Sequence, residues 1–126
     1  EAPVFTVSAS GANAGFVNLY MENVWASDCS YIDKGVTPFV LYYFLLLKSR
    51  QVEVTGLQRG SAQPHVYPKD LSELLVVDVP DNLLKNFEDV VSTIFSFVGN
   101  LKKQNKALSD SRDLLLPKLV TGEIRV

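Results

Sequence analysis

What this chain has little of narrows its chemistry first. A single cysteine, Cys29, excludes an intrachain disulfide and any multi-cysteine metal site. A single histidine, His65, excludes a metal centre built from several imidazoles. No paired carboxylates, metal-ligand cluster or nucleophile–base spacing stands out, which leaves an enzyme as a distant reading. The longest apolar run, Phe39 to Leu47, is about half of what a bilayer span needs. The start lacks the basic-then-apolar order of a signal peptide. A soluble, cytoplasmic chain with no membrane contact is therefore expected. The net charge of −2 announces no polyanionic partner by itself.

The distribution of charge says more than its sum. Residues 1–33 carry no Lys or Arg, whereas residues 34–69 hold Lys34, Lys48, Arg50, Arg59 and Lys69 against Glu53. Residues 70–98 are acidic, and 99–126 turn basic through Lys102, Lys103, Lys106, Arg112, Lys118 and Arg125. Segregation of this kind either gives a locally positive surface or decorates solvated faces. With 126 residues, 47% of them hydrophobic, one domain with a real core is expected.

β-branched and aromatic residues predict strands over 3–8 and 16–20, joined by the small-residue loop Ala9 to Gly15. A third strand is expected at 24–26, with Ser30 to Ile32 a further candidate. Thr37-Pro38 opens a largely buried helix through Lys48, with Thr37 as N-cap. Val52 to Val54 and the Leu57 region read as extended, Pro68 as the start of a short helix through Leu74, and Leu75 to Pro80 as a strand. The fold class predicted is α+β or mixed α/β: a small mixed sheet with a buried helix, then one long projecting helix of coiled-coil type.

That last helix carries the strongest pattern in the chain. Leu84, Phe87, Val91, Ile94, Val98, Leu101, Asn105, Leu108, Arg112, Leu115 and Leu119 follow a 3-4 spacing across five heptads. Asp81 or Asn82 is the candidate N-cap. Unbroken to Leu116, such a helix is on the order of 50 Å long. A domain of this size has a radius of gyration of only roughly 13 Å, so one end is expected to project. Flanking positions are apolar in the first half (Val90, Phe95, Phe97) and polar in the second (Lys102, Gln104, Ser109, Ser111). Residues 83–98 are thus assigned to the domain's own core, and Val98, Leu101, Asn105, Leu108, Arg112, Leu115 and Leu119 to a seam for a partner helix. The competing reading breaks the helix near Ser109-Asp110-Ser111. Pro117 is expected to end or kink it, leaving a short amphipathic tail from Lys118 to Val126.

Three local motifs remain. Cys29 beside Asp28 has no base near it and reads as a small buried side chain. Ser10 to Gly15 lacks the Gly-Lys-Ser/Thr end of a nucleotide-binding loop, yet its small residues suit close approach to a phosphate backbone. Arg59-Gly60-Ser61-Ala62-Gln63-Pro64-His65 sets a forked cation, a hydroxyl, an amide and an imidazole on one turn, the side chains that read base edges; for His65 a structural contact is the alternative.

The closing stretch, Ser111 to Val126 with Leu115-Leu116-Pro117-Lys118-Leu119 and Gly122-Glu123-Ile124, resembles the end of the specificity subunits of type I restriction–modification enzymes. Gly11 to Leu19 with Trp25 to Asp28, and Gly60 to His65 followed by Pro68, Asp70 and Leu71, are similar to parts of that family's target-recognition domains, in the same order. The resemblance implies a non-catalytic DNA-specificity subunit. Its expected partners are double-stranded DNA, methyltransferase and restriction subunits, and the antiparallel helix of another specificity half, possible as a homodimer. S-adenosylmethionine is expected on the methyltransferase, with no cofactor on this chain. Residues 1–80 become part of a recognition domain that usually begins earlier, so a fragment is expected, and residues 81–126 the spacer helix and tail. Ser10, Gly11 and Asn13, with Arg59, Ser61, Gln63 and His65, become DNA-facing candidates. The Gly-x-x-Gln turn equally suits bracing of the sheet, and Lys102, Lys103 and Lys106 suit DNA contact or plain solvation. The rival function is an oligomerisation module whose body binds something other than DNA.

Overall fold

A computed structural model describes residues 2–124; Arg125 and Val126, at the end of the expected tail, lie outside them. The fold is α+β. The elements are β1 (Val4–Ser8), a 3₁₀ turn (Gly11–Asn13), β2 (Val17–Tyr20), β3 (Cys29–Asp33), α1 (Val40–Ser49), α2 (Gln51–Gly56), α3 (Pro68–Ser72) and α4 (Asp81–Val120). The chain divides into two units between Ser92 and Thr93, inside α4. Among the described residues, no helix is long and apolar enough to cross a membrane.

In the first unit β1 is the central strand, with the order β2-β1-β3. Both pairings are antiparallel, with Phe5 opposite Leu19 on one side and Ile32 on the other. The sheet is therefore antiparallel rather than mixed. Strand β1 is paired along both edges, and Val4, Phe5, Thr6 and Val7, which alternate between its two faces, are all buried. Phe5 meets Phe44 of α1 at 6.4 Å between ring centroids, and Val40 and Leu41 are buried on the same helix.

Three expectations about segments fail for one reason each. The third strand is Cys29–Asp33, the weaker of the two candidates, and residues 24–26 form no strand; Trp25 is 94% exposed. Val52 to Val54 is helical, not extended. A strand would put both valines on one face, whereas α2 buries Val54 completely and leaves Val52 89% exposed. Arg50 and Glu53 close an (i, i+3) pair across that turn, with two contacts of 2.6 Å. Leu75 to Pro80 pairs with no strand among the described residues, and Leu75 and Val77 are exposed. β-propensity describes fit to a neighbouring strand, and no neighbour is offered.

The start of α1 also differs from the expectation. The helix begins at Val40 after Phe39, and the Thr37 hydroxyl accepts only the Phe39 amide, at 3.2 Å. Its open N-terminal amides are satisfied from far away. Glu88 of α4 accepts the Leu41 amide on Oε1 and the Tyr42 amide on Oε2, both at 3.0 Å. A carboxylate there satisfies two orphan donors and faces the positive end of the helix dipole. Phe87 packs edge-on against Tyr42 at 5.8 Å, and Leu84 is buried. These three residues fasten the first turns of α4 to the body. We expect Glu88→Ala to cost about 1–2 kcal/mol, the usual worth of a lost cap, and Glu88→Gln less, in urea unfolding followed at 222 nm.

α4 starts at Asp81, with the Pro80 carbonyl accepting the Leu83 and Leu84 amides, so Pro80 stands where Asp81 or Asn82 was expected to cap. The second unit is the rest of α4 and the turn after it. The helix continues through Ser109 to Ser111 without the break weighed above, and Ser111 returns its hydroxyl to the Ala107 carbonyl at 2.8 Å. It also runs past Pro117 to Val120, although proline has no N–H to donate to the helix. It stops at Gly122, whose φ of +72° suits a left-handed helix cap, with its amide on the Leu119 carbonyl. Ile94, Val98, Leu101, Leu108, Leu115 and Leu119 are exposed along it. Of the residues assigned to the core from 83 to 98, Leu84 alone is buried.

Candidate nucleic-acid interface

The small-residue loop and the Arg59–His65 turn, fifty residues apart in sequence, lie side by side. The Gly11 amide donates to the Pro64 carbonyl at 3.0 Å, and the Val66 amide to Ala9 at 2.9 Å. His65 pairs with Ser10 across the junction and with Arg59 within its own turn. Arg59 and His65 exchange two backbone bonds, of 2.8 and 2.9 Å, which close the turn. Gly60 lies at φ +93°, and a Cβ there would stand 2.9 Å from the Gln63 carbonyl oxygen. That close approach requires glycine at the head of the Gly-x-x-Gln turn.

The structure brings the seven candidate residues together on these two joined loops, with different freedom. Asn13, Arg59, Ser61 and Gln63 are exposed, whereas Ser10, Gly11 and His65 are half-buried. The Ser10 hydroxyl donates to the Asp28 carboxylate, and Asp28 itself sits at φ +50°. The His65 ring lies nearly parallel to Tyr67 at 6.0 Å. The Arg59 guanidinium pairs with Asp70 of α3. Ser10 and His65 are thus partly occupied in building the surface, and Asn13, Ser61 and Gln63 are the side chains most open to a ligand.

The residues that hold the first loop were not visible in the sequence. Lys48 donates to the Val17 carbonyl at 2.9 Å and stands 4.1 Å over the Phe16 ring. Gln51 accepts the Val17 amide at 3.0 Å and donates to the Gly15 carbonyl at 2.8 Å. Gln58 donates to the Ala14 carbonyl at 2.8 Å. Lys48 on an otherwise apolar helix was the one available hint. Burial first, and the Asp28 carboxylate second, push the Cys29 thiol above its ordinary range. It stays protonated at neutral pH and is a poor nucleophile. Among the described residues, no group of three or more His, Cys, Asp or Glu gathers to hold a metal ion.

Neither a protein-family model nor a solved structure matches the chain. Over 87 residues, 68% of its length, the chain is 33% identical to the type I restriction enzyme MjaIX specificity subunit of Methanocaldococcus jannaschii. The chain is related to that specificity subunit. It spans about 20% of that protein's length. The relationship agrees with the resemblance read from Gly11 to Asp28, from the Gly-x-x-Gln turn and from the closing Leu-Leu-Pro-Lys-Leu stretch.

Proposed function

We propose that the chain is a non-catalytic DNA-specificity module of a type I restriction–modification system. Its body recognises one DNA half-site and docks methyltransferase subunits, and the seam of α4 pairs antiparallel with the helix of another specificity half or a second copy. The observation that carries this reading is the joining of the small-residue loop and the Arg59–His65 turn into one surface, in a chain related to a specificity subunit. Four side chains able to meet bases or phosphates stand exposed there: Asn13, Arg59, Ser61 and Gln63. The pairing reading is supported by the apolar 3-4 series left exposed along α4.

Duplex binding by the chain, alone and with a cognate methyltransferase subunit, tests the reading in an electrophoretic shift assay. Each Lys or Arg that neutralises a phosphate releases counterions, so four such cationic contacts would weaken binding about a hundredfold between 50 and 200 mM salt. Weak binding with no salt dependence would count against it. The exposed seam by itself also suits an oligomerisation module with a different ligand. Exchange of residues 1–80 between two such chains separates the readings: methylation specificity that does not follow the exchange removes the DNA reading.

A further inference from the structure

The Arg59–Asp70 pair is unequally placed. The Arg59 side chain is 67% exposed, yet its partner Asp70 is 7% exposed and sits in α3, packed under the turn. Only Nη2 of the guanidinium engages the carboxylate, through Oδ1. Oδ2 of Asp70 is buried and has no donor among the described residues. The pair therefore holds the guanidinium at one terminal nitrogen, and its remaining N–H donors, on a side chain 67% exposed, have no partner among the described residues.

We propose that Arg59 is the guanine-reading group of this surface and that Asp70 is its positioning residue. This rests on the DNA reading above. Two physical arguments favour a base edge over a phosphate. A guanidinium already neutralised by a carboxylate brings little net charge to a polyanion, so its remaining value is geometric. A long side chain fixed at one nitrogen presents its other N–H groups at a set angle, which bidentate contact to guanine O6 and N7 requires and a phosphate contact does not. Gly60 contributes by folding the turn back at once, so that Arg59 stands at its edge beside exposed Ser61 and Gln63.

The test is selection of bound duplexes from a randomised library by the full chain, at two salt concentrations, for the wild type, Arg59→Lys and Asp70→Asn. The wild type is expected to enrich guanine at one position. Arg59→Lys keeps the charge but loses the fork, and is expected to lose that preference by at least about fivefold while the salt dependence stays unchanged. Asp70→Asn is expected to relax the same position alone. A merely structural role for Asp70 lowers binding evenly at every position and overturns the positioning assignment, as does an unchanged preference. Arg59→Lys with preference intact, or with loss spread evenly and a shallower salt slope, overturns guanine reading in favour of a phosphate contact or a brace. A wild type that binds no duplex overturns the DNA reading itself.

Discussion

Replacing Gly15 with alanine is expected to destabilise the first unit by about 3 kcal/mol. Two costs combine. At φ +80° an L-residue pays roughly 1–2 kcal/mol for the left-handed conformation. The added Cβ would also stand 2.9 Å from the Val54 carbonyl oxygen and 3.1 Å from the Thr55 Cα. Those atoms are backbone beside a fully buried Val54, so they cannot swing aside, and overpacking of this kind costs about 1–3 kcal/mol. In a unit of this size 1 kcal/mol moves the melting temperature by about 4–8 °C, so scanning calorimetry should record a fall of more than about 10 °C. Gly11 provides the control. Its φ is +76°, but nothing lies within 4 Å of the position its Cβ would take. Gly11→Ala should cost the conformational part alone. Equal losses at both positions would show that crowding against α2 contributes nothing. The contrast also bears on the interface, because Gly15 is where the first loop leans on α2 and Gly11 is where it meets the Arg59–His65 turn.

The double substitution Leu101→Asp with Leu108→Asp is expected to abolish pairing through α4. Both leucines are exposed, at 42% and 68%, and both lie in the 3-4 series. Burying each contributes about 1.5–3 kcal/mol. In a two-fold pair each change is present twice, and each new carboxylate must be desolvated to sit in a seam. A loss well beyond about 4 kcal/mol is expected, which is more than a thousandfold in the dissociation constant. Sedimentation velocity at tens of micromolar should show paired wild type and monomeric variant. Lys103→Glu, outside the seam, should leave pairing nearly unchanged. The helix itself should survive in the variant by circular dichroism, since neither leucine is buried within the chain. A wild type that stays strictly monomeric at high micromolar concentration overturns self-pairing.

The long helix and the first two strands were legible for the same reason: each has a pattern of its own, whereas the antiparallel order β2-β1-β3 and the place of the third strand were not. The 3-4 recurrence from Leu84 to Leu119 announces a helix whatever it packs on, and α4 duly spans Asp81–Val120. The β-branched run at Val4 to Val7 and the loop of small residues after it announced β1 and β2, and the structure pairs them antiparallel. Short apolar segments gave the wrong answer. Val52-Glu53-Val54 and Leu75-Val76-Val77 have the composition of strands, but composition does not say whether a pairing edge lies beside them. One became a helix because burying Val54 alone needs a helical turn; the other stayed unpaired.

The candidate interface divides in the same way. The residue types suited to nucleic acid, Ser10, Asn13, Arg59, Ser61, Gln63 and His65, were readable because each offers donors on a short turn. Which of them remain open was decided by partners distant in sequence: Asp28 for Ser10, Tyr67 for His65, Asp70 for Arg59. Nor does any local pattern tell that Lys48, Gln51 and Gln58 hold the first loop, or that Glu88 caps α1 across 46 residues.

The sequence by itself thus determined what is periodic or local: the existence of α4, the apolar seam along it, the glycine turns and the relationship to a specificity subunit. The tertiary structure alone decided the joining of the two loops, the anchoring of Arg59 and the fastening of α4 to α1. The physical reason is that a hydrogen bond or ion pair between distant residues depends on where the backbone carries them. Donor and acceptor types are written in the chain, but their meeting is a property of the fold.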